Sequence, residues 1–251
     1  VQKDLVYALY DISINYHVKV LIGTRSLLVD VFENWKHFSL NKLSVQSINK
    51  FLEKEGRSDL AVKSDSDEFS LLKIPFFLDN FVSNHIGKLK SSSFSDYIEN
   101  HLFNLVPAES KEALFERIAN ILFENYTNNQ RLFIEGKYFN ENEIELFLKY
   151  GILKISEMDD SMYSLDHELV TEFFVAKAFS KRVELWNYSY FDRLSRNFQI
   201  SFELLQMTYE QINNPHEAEL FLKGIYDWNF NATLHCVENV NIQNNVAFSR
   251  A

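Results

Sequence analysis

Hydrophobic positions recur at helical spacing along most of the chain, and short β-rich runs interrupt them in only a few places. The apolar spacing of residues 5–12 predicts an N-terminal helix, and residues 18–22 form a β-rich run. Because a second apolar helix follows this run, residues 1–36 are predicted to be part of a parallel α/β sheet. Ligands usually bind in the loop after such a strand, and Arg25 lies in that loop.

Residues 37–106 are predicted to form a small helical domain. Ser44 is suited to cap the start of an amphipathic helix, and Gly56 is suited to end it. Pro75 fits the first turn of a further helix, since a proline lacks the N–H that this position does not use. The basic, Ser-rich stretch 88–93 is the best candidate for an internal linker.

Residues 107–183 combine three helical patterns with a predicted β-hairpin. The predicted elements are helices at 112–126 and 140–150, strands at 152–156 and 162–165, and a helix from its N-cap Asp166 to residue 183. This order is typical of a winged-helix domain followed by one extra helix, with the hairpin as the wing.

Residues 184–251 alternate aromatic-rich helical patches with Asn-rich turns, which indicates a helical, solenoid-like segment. Its aromatic side chains favour core packing over a partner surface. They are Trp186, Tyr188, Tyr190, Phe191, Trp228 and Phe230. Glycine and proline are scarce, which disfavours an all-β chain, so the predicted fold class is mainly α with a small β content.

Charge and cysteine content narrow the expected partners. The formal net charge of -10 disfavours phosphate backbones and anionic membranes. The second helix and the hairpin turn of the predicted winged helix are acidic, so we expect no DNA binding. The apolar runs are too short to cross a bilayer, so we expect no membrane partner. Cys236 is the only cysteine, which fits a reducing cytoplasm and leaves no zinc-ligand set.

Three stretches resemble the NACHT-type, or STAND-class, signal-transducing ATPases. Residues 19–26 end in Thr-Arg-Ser and resemble the sensor-1 strand of that family. Pro75 resembles the proline that packs near the adenine. His167, within 163–176, resembles the pattern in which Phe-x-His is followed by Glu-Phe/Tyr-Phe-x-Ala.

The resemblance covers residues 1–183 as an order of elements. It implies a remnant of a P-loop α/β domain at 1–36, then the helical domain, then the winged-helix domain. A helical sensor or repeat region would begin at residue 184. The chain start at Val1, inside an apparent helix, suggests a piece cut from a longer polypeptide.

The resemblance also implies a nucleotide site. Arg25 would respond to the γ-phosphate, Pro75 would pack on the adenine, and His167 would contact the β-phosphate of ADP. Each residue also has a plain structural interpretation. Arg25 would then be a surface ion-pair partner, Pro75 an ordinary helix start, and His167 a buried residue that fixes the wing to its helix.

Hydrolysis is assigned to no residue of this chain. Neither a Gly-x-x-x-x-Gly-Lys-Ser/Thr loop nor a strand ending in paired carboxylates occurs in the sequence, so no catalytic residue and no metal ligand is predicted. The cofactors implied are ATP and ADP, with magnesium held by residues outside this chain.

The predicted function is a nucleotide-state switch and oligomerisation segment, which the family links to innate immune or antiphage defence signalling. The implied partners are the remainder of its own NACHT domain, further copies of itself on activation, and a protein trigger bound through the C-terminal helices. The alternative is a non-catalytic helical scaffold with an acidic winged-helix module for protein interaction.

Overall fold

The computed structural model describes residues 2–16, 19, 42–63, 72–83, 93–99, 108–128, 132–149, 152–157, 159–165, 167–196 and 200–239. Within these ranges the protein is mainly helical with a small antiparallel sheet, which confirms the predicted mainly α class. Contacts divide the chain into two compact units, Val1–Asn41 and Lys42–Ala251.

The first unit contributes one described helix, α1 (Gln2–Tyr16), which confirms the predicted N-terminal helix. Ile12, Ile14 and Tyr16 lie exposed on it. Of the predicted strand at 18–22, only Lys19 is described, and Arg25 lies outside the described residues.

In the described part of the second unit, the first α-helices are α2 (Val45–Lys54), α3 (Pro75–Ser83) and α4 (Phe94–Tyr97). Ser44 caps α2, since its Oγ accepts the backbone N–H three residues later at 3.1 Å. Gly56 follows α2 with a φ of 72°, a left-handed conformation that glycine adopts without strain. Both predictions for this helix are therefore confirmed, as is the start of α3 at Pro75.

Asn49 on α2 binds the backbone of Val62, which lies after the short 3-10 helix Ser58–Leu60. The Asn49 Nδ2 donates to the Val62 carbonyl at 3.0 Å, and the Val62 N–H donates to the Asn49 Oδ1 at 2.8 Å. One side-chain amide thus satisfies both backbone groups of a buried residue, as a neighbouring strand would.

A helix and sheet region follows. Its elements are α5 (Ala108–Thr127), β1 (Ile134–Glu135), α6 (Glu141–Lys149), β2 (Leu153–Ile155), β3 (Met162–Leu165) and α7 (Glu168–Phe179). The sheet has the order β1-β3-β2 and is antiparallel, with Leu153 opposite Leu165 and Ile134 opposite Tyr163. The predicted hairpin of β2 and β3 is confirmed, whereas β1 was not predicted.

The α6 helix begins with a reciprocal cap. The Glu143 N–H donates to the Asn140 Oδ1 at 2.8 Å, and the Asn140 N–H donates to the Glu143 Oε2 at 2.9 Å. Glu141 and Glu145 lie exposed on the helix, and Phe147 is buried beneath it. The cap leaves the acidic face of α6 in solvent and its apolar face in the core.

The C-terminal part contains four more helices. They are α8 (Tyr188–Arg196), α9 (Phe202–Glu210), α10 (Pro215–Trp228) and α11 (Phe230–Asn239). The α7 helix packs between α5 and α9 and is buried almost all round, so it is the centre of the unit. It ends at Phe179, earlier than the predicted residue 183.

Most of the C-terminal aromatic side chains lie in the core, as the sequence favoured. Trp186 and Phe191 are buried against Phe221, and Tyr190 is buried against Phe179. The Trp186 Nε1 donates to the Phe179 carbonyl at 3.1 Å. The predicted set is not uniform, however. Its members Tyr188 and Phe230 are more than half exposed.

No helix within the described ranges is both long and apolar enough to cross a lipid bilayer.

Candidate functional site

Pro75 is the first residue of α3 and lies exposed. The N–H groups of Phe77 and Leu78 both donate to the Ile74 carbonyl, at 3.1 Å and 3.2 Å. The missing N–H of Pro75 therefore leaves no gap in the hydrogen bonds of this turn. Its ring is available for contact with a flat ligand, and it equally serves as an ordinary helix start.

His167 is the N-cap of α7. Its backbone is extended, with φ -128° and ψ 139°, and its Nδ1 accepts the Leu169 N–H at 3.1 Å. The predicted cap, Asp166, is therefore wrong. The physical reason is that the imidazole nitrogen takes the role that a short carboxylate or hydroxyl usually fills.

The cap fixes the chemistry of the imidazole. A ring whose Nδ1 accepts a hydrogen bond carries its proton on Nε2 in the neutral form, so the other ring nitrogen is a donor. The carbonyl of His167 also accepts the N–H groups of Val170 and Thr171, at 3.0 Å and 3.2 Å. The N–H groups of Leu169, Val170 and Thr171 at this helix start are therefore all paired within the protein.

The electrostatics at this helix start are mixed. The N-terminal end of a helix favours an anion, and the Nε2 donor of His167 suits a phosphate oxygen. Glu168 lies exposed in the first turn of α7, where its carboxylate already satisfies part of that preference. A phosphate here would meet one negative neighbour, which disfavours it.

Glu172 is a buried carboxyl group that the sequence did not single out for its contacts. Its Oε1 accepts a hydrogen bond from the Ser201 Oγ at 2.7 Å, and Ser201 in turn caps α9 by accepting the Leu204 N–H at 2.9 Å. Burial raises the pKa of the Tyr126 phenol well above its ordinary value, and the nearby Glu172 and Glu168 carboxylates raise it further. Glu172 thus ties the central helix to the start of α9.

The sequence did contain a signal for Glu172. It is the only charged residue in the run from Leu169 to Ala176, and a charge inside such an apolar stretch needs a buried partner. Its partner Ser201 lies 29 residues away, so the pairing itself could not be read from local spacing.

The three predicted nucleotide residues are only partly described. Pro75 and His167 each begin a helix of the same unit, while Arg25 lies outside the described residues. Neither the protein-family models nor the curated proteins searched contain a match to this sequence. The common site of Arg25, Pro75 and His167 therefore stays a prediction.

Proposed function

We propose that this chain is the nucleotide-state switch and oligomerisation segment of a NACHT-type STAND ATPase. In the resting state, His167 donates from Nε2 to the β-phosphate of ADP and Pro75 packs on the adenine, while Arg25 responds to the γ-phosphate of ATP. Exchange of ADP for ATP changes these contacts and frees the segment from its resting conformation. A nucleotide can shift such an equilibrium only through differential contacts with the two states.

The order of elements supports this proposal. The sequence α5-β1-α6-β2-β3-α7, with β3 in the middle of the sheet, resembles a winged helix followed by one further helix. The candidate histidine lies directly after the last strand of that sheet. It thus occupies the junction between the wing and the central helix.

His167 is the observation that carries the proposal. Its Nδ1 is fixed by the Leu169 N–H, so the ring cannot turn freely and its donor atom is held in one place. A hydrogen-bond donor at the start of a helix suits a phosphate oxygen, whereas the exposed Glu168 carboxylate beside it disfavours one. ADP and ATP differ by the γ-phosphate, and the switch would depend on that difference.

Acidic side chains support a protein partner for the predicted winged helix. Glu141 and Glu145 lie exposed on α6, and Glu157, Asp159 and Asp160 lie exposed in the hairpin turn. Asp159 is held in place by the Ser161 N–H and Oγ, at 2.8 Å and 2.6 Å, which also lower the pKa of its carboxyl group. We assign these acidic side chains to contacts with protein.

The same histidine geometry favours a second candidate. If the only task of His167 is to cap α7, the chain is a non-catalytic helical scaffold whose acidic winged helix binds other proteins. The cap explains the hydrogen bond at 3.1 Å without any ligand. The switch requires the Nε2 atom of His167 to donate to a phosphate, whereas the scaffold requires nothing of that atom.

Substitution of His167 by asparagine distinguishes the switch from the scaffold. An asparagine Oδ1 is among the best N-cap acceptors, so His167→Asn keeps the cap but removes the imidazole donor, whereas His167→Ala removes both. In the full-length protein we expect both variants to form oligomers without a trigger, measured by size-exclusion chromatography with light scattering.

The matched control is His216→Ala, which removes an exposed imidazole from the start of α10, where Asn214 is the cap. We expect this control to remain in the resting state. If His167→Asn also stays in the resting state without a trigger while His167→Ala forms oligomers, capping of α7 is the only role of His167. The scaffold candidate then replaces the switch.

A further inference from the structure

Glu210, the last residue of α9, caps the start of a helix that lies far away in the sequence. Its Oε2 accepts the Ser95 N–H at 3.1 Å and the Ser95 Oγ–H at 2.8 Å. Its Oε1 accepts from the Gln206 Nε2 at 2.8 Å. Three donors thus converge on one carboxyl group, and the two from Ser95 join α4 to α9.

The environment of Glu210 makes this contact costly to break. Burial raises the pKa of the Glu210 carboxyl, and the hydrogen bonds from Gln206 and Ser95 partly offset that rise. The other titratable neighbour is the buried Cys236 on α11, whose pKa is raised by burial and by Glu210. A carboxyl group enclosed in this way depends on its donors, because water does not replace them readily.

The α4 helix packs against α3 through aromatic side chains. The Phe77 ring stacks on the Phe94 ring with centroids 5.2 Å apart, and it meets the Tyr97 ring edge-on at 4.9 Å. All three side chains are buried, at 5 % exposure or less. Phe77 lies two residues after Pro75, so the rings bear on the first turn of α3.

We propose that Glu210 is the contact through which the C-terminal helices control the position of α3 and its first residue, Pro75. The route runs from α9 through the start of α4 to the Phe77 ring. It bypasses the sheet and α7. The link to nucleotide rests on the proposed function, in which Pro75 packs on the adenine, whereas the mechanical link to α3 does not.

Aromatic packing makes this route suited to transmit a displacement. Closely packed rings have few alternative arrangements, so a shift of α4 must be accommodated by α3. The start of α4 has two supports, the Glu210 carboxyl group and the N-cap Ser93, whose Oγ accepts the Asp96 N–H at 3.1 Å, and α4 spans only Phe94–Tyr97. Loss of the Glu210 carboxyl should therefore loosen α4 and then α3.

Hydrogen exchange of the chain without nucleotide tests the route. We expect Glu210→Ala to accelerate amide exchange in α3 by about tenfold, the effect of losing a hydrogen bond to a charged group. Exchange in α6 should stay within about twofold of the wild type, because α6 is not on the route. Ser95→Ala removes one donor and should give a smaller acceleration in α3, which keeps the test usable if Glu210→Ala does not fold.

Glu219→Ala is the matched control, since this glutamate lies exposed on α10. It should leave exchange in α3 unchanged. Acceleration confined to α4 would overturn the proposal, as would equal acceleration of α3 and α6, which would indicate global unfolding. Because no nucleotide is present, these outcomes are independent of whether ADP binds at Pro75.

Discussion

Gly224 lets α10 approach the turn before α8 more closely than any other residue would allow. A Cβ at this position would lie 2.6 Å from the Trp186 carbonyl oxygen, 3.0 Å from its carbonyl carbon and 3.2 Å from the Phe191 Cε2. Two of these three atoms belong to the backbone. Gly224→Ala therefore requires α10 or the turn to move by roughly 0.8 Å to reach ordinary contact.

The size of the effect follows from two opposing terms. Overpacking costs about 1–3 kcal/mol, and an approach of 2.6 Å to a backbone oxygen puts this change in the upper part of that range, at about 2–3 kcal/mol. Alanine in a helix interior gains about 1 kcal/mol over glycine. We expect a net loss of about 1–2 kcal/mol in the free energy of unfolding. For a chain of this size, that corresponds to a fall in Tm of roughly 2–8 °C.

Urea denaturation followed by tryptophan fluorescence measures this loss, because Trp186 lies at the contact itself. Lys223→Ala, an exposed change one residue earlier, is the control and should stay within about 0.5 kcal/mol of the wild type. A Gly224→Ala variant as stable as the wild type would refute the close approach of α10 to this turn.

Two further predictions concern buried polar contacts. Because burial raises the pKa of Glu210, the folded state binds more protons above about pH 4.5, and stability falls as the pH rises through the folded pKa. Glu210→Gln should flatten this dependence in urea titrations at several pH values, and an unchanged slope would contradict it. Asn49→Ala should lose about 2 kcal/mol in the same assay, since two hydrogen bonds to Val62 disappear. Lys50→Ala is its exposed control, and equal stability of the two variants would count against the Asn49 contact.

Local rules predicted the elements whose signals lie within a few residues. Ser44 and Gly56 mark the ends of α2, and Pro75 marks the start of α3, because capping and proline geometry act within one turn. The hairpin of β2 and β3 was found for the same reason, since its strands are joined by a short polar turn.

The features that the sequence did not reveal depend on distant partners. The strand β1 has only two residues, too few for any alternation, and it exists through its pairing with β3. The role of Glu210 depends on Ser95, which lies 115 residues away. His167 was singled out, but its role as the cap was not, because histidine is an uncommon residue at this position.

The affinity of the full-length protein for ADP and for ATP, measured by isothermal titration calorimetry with His167 and with His167→Asn, tests the central claim most directly. If Nε2 of His167 donates to ADP in the resting state alone, the substitution weakens ADP binding by about tenfold or more and leaves ATP binding within about twofold. Unchanged ADP affinity, or an equal loss for both nucleotides, would contradict the account.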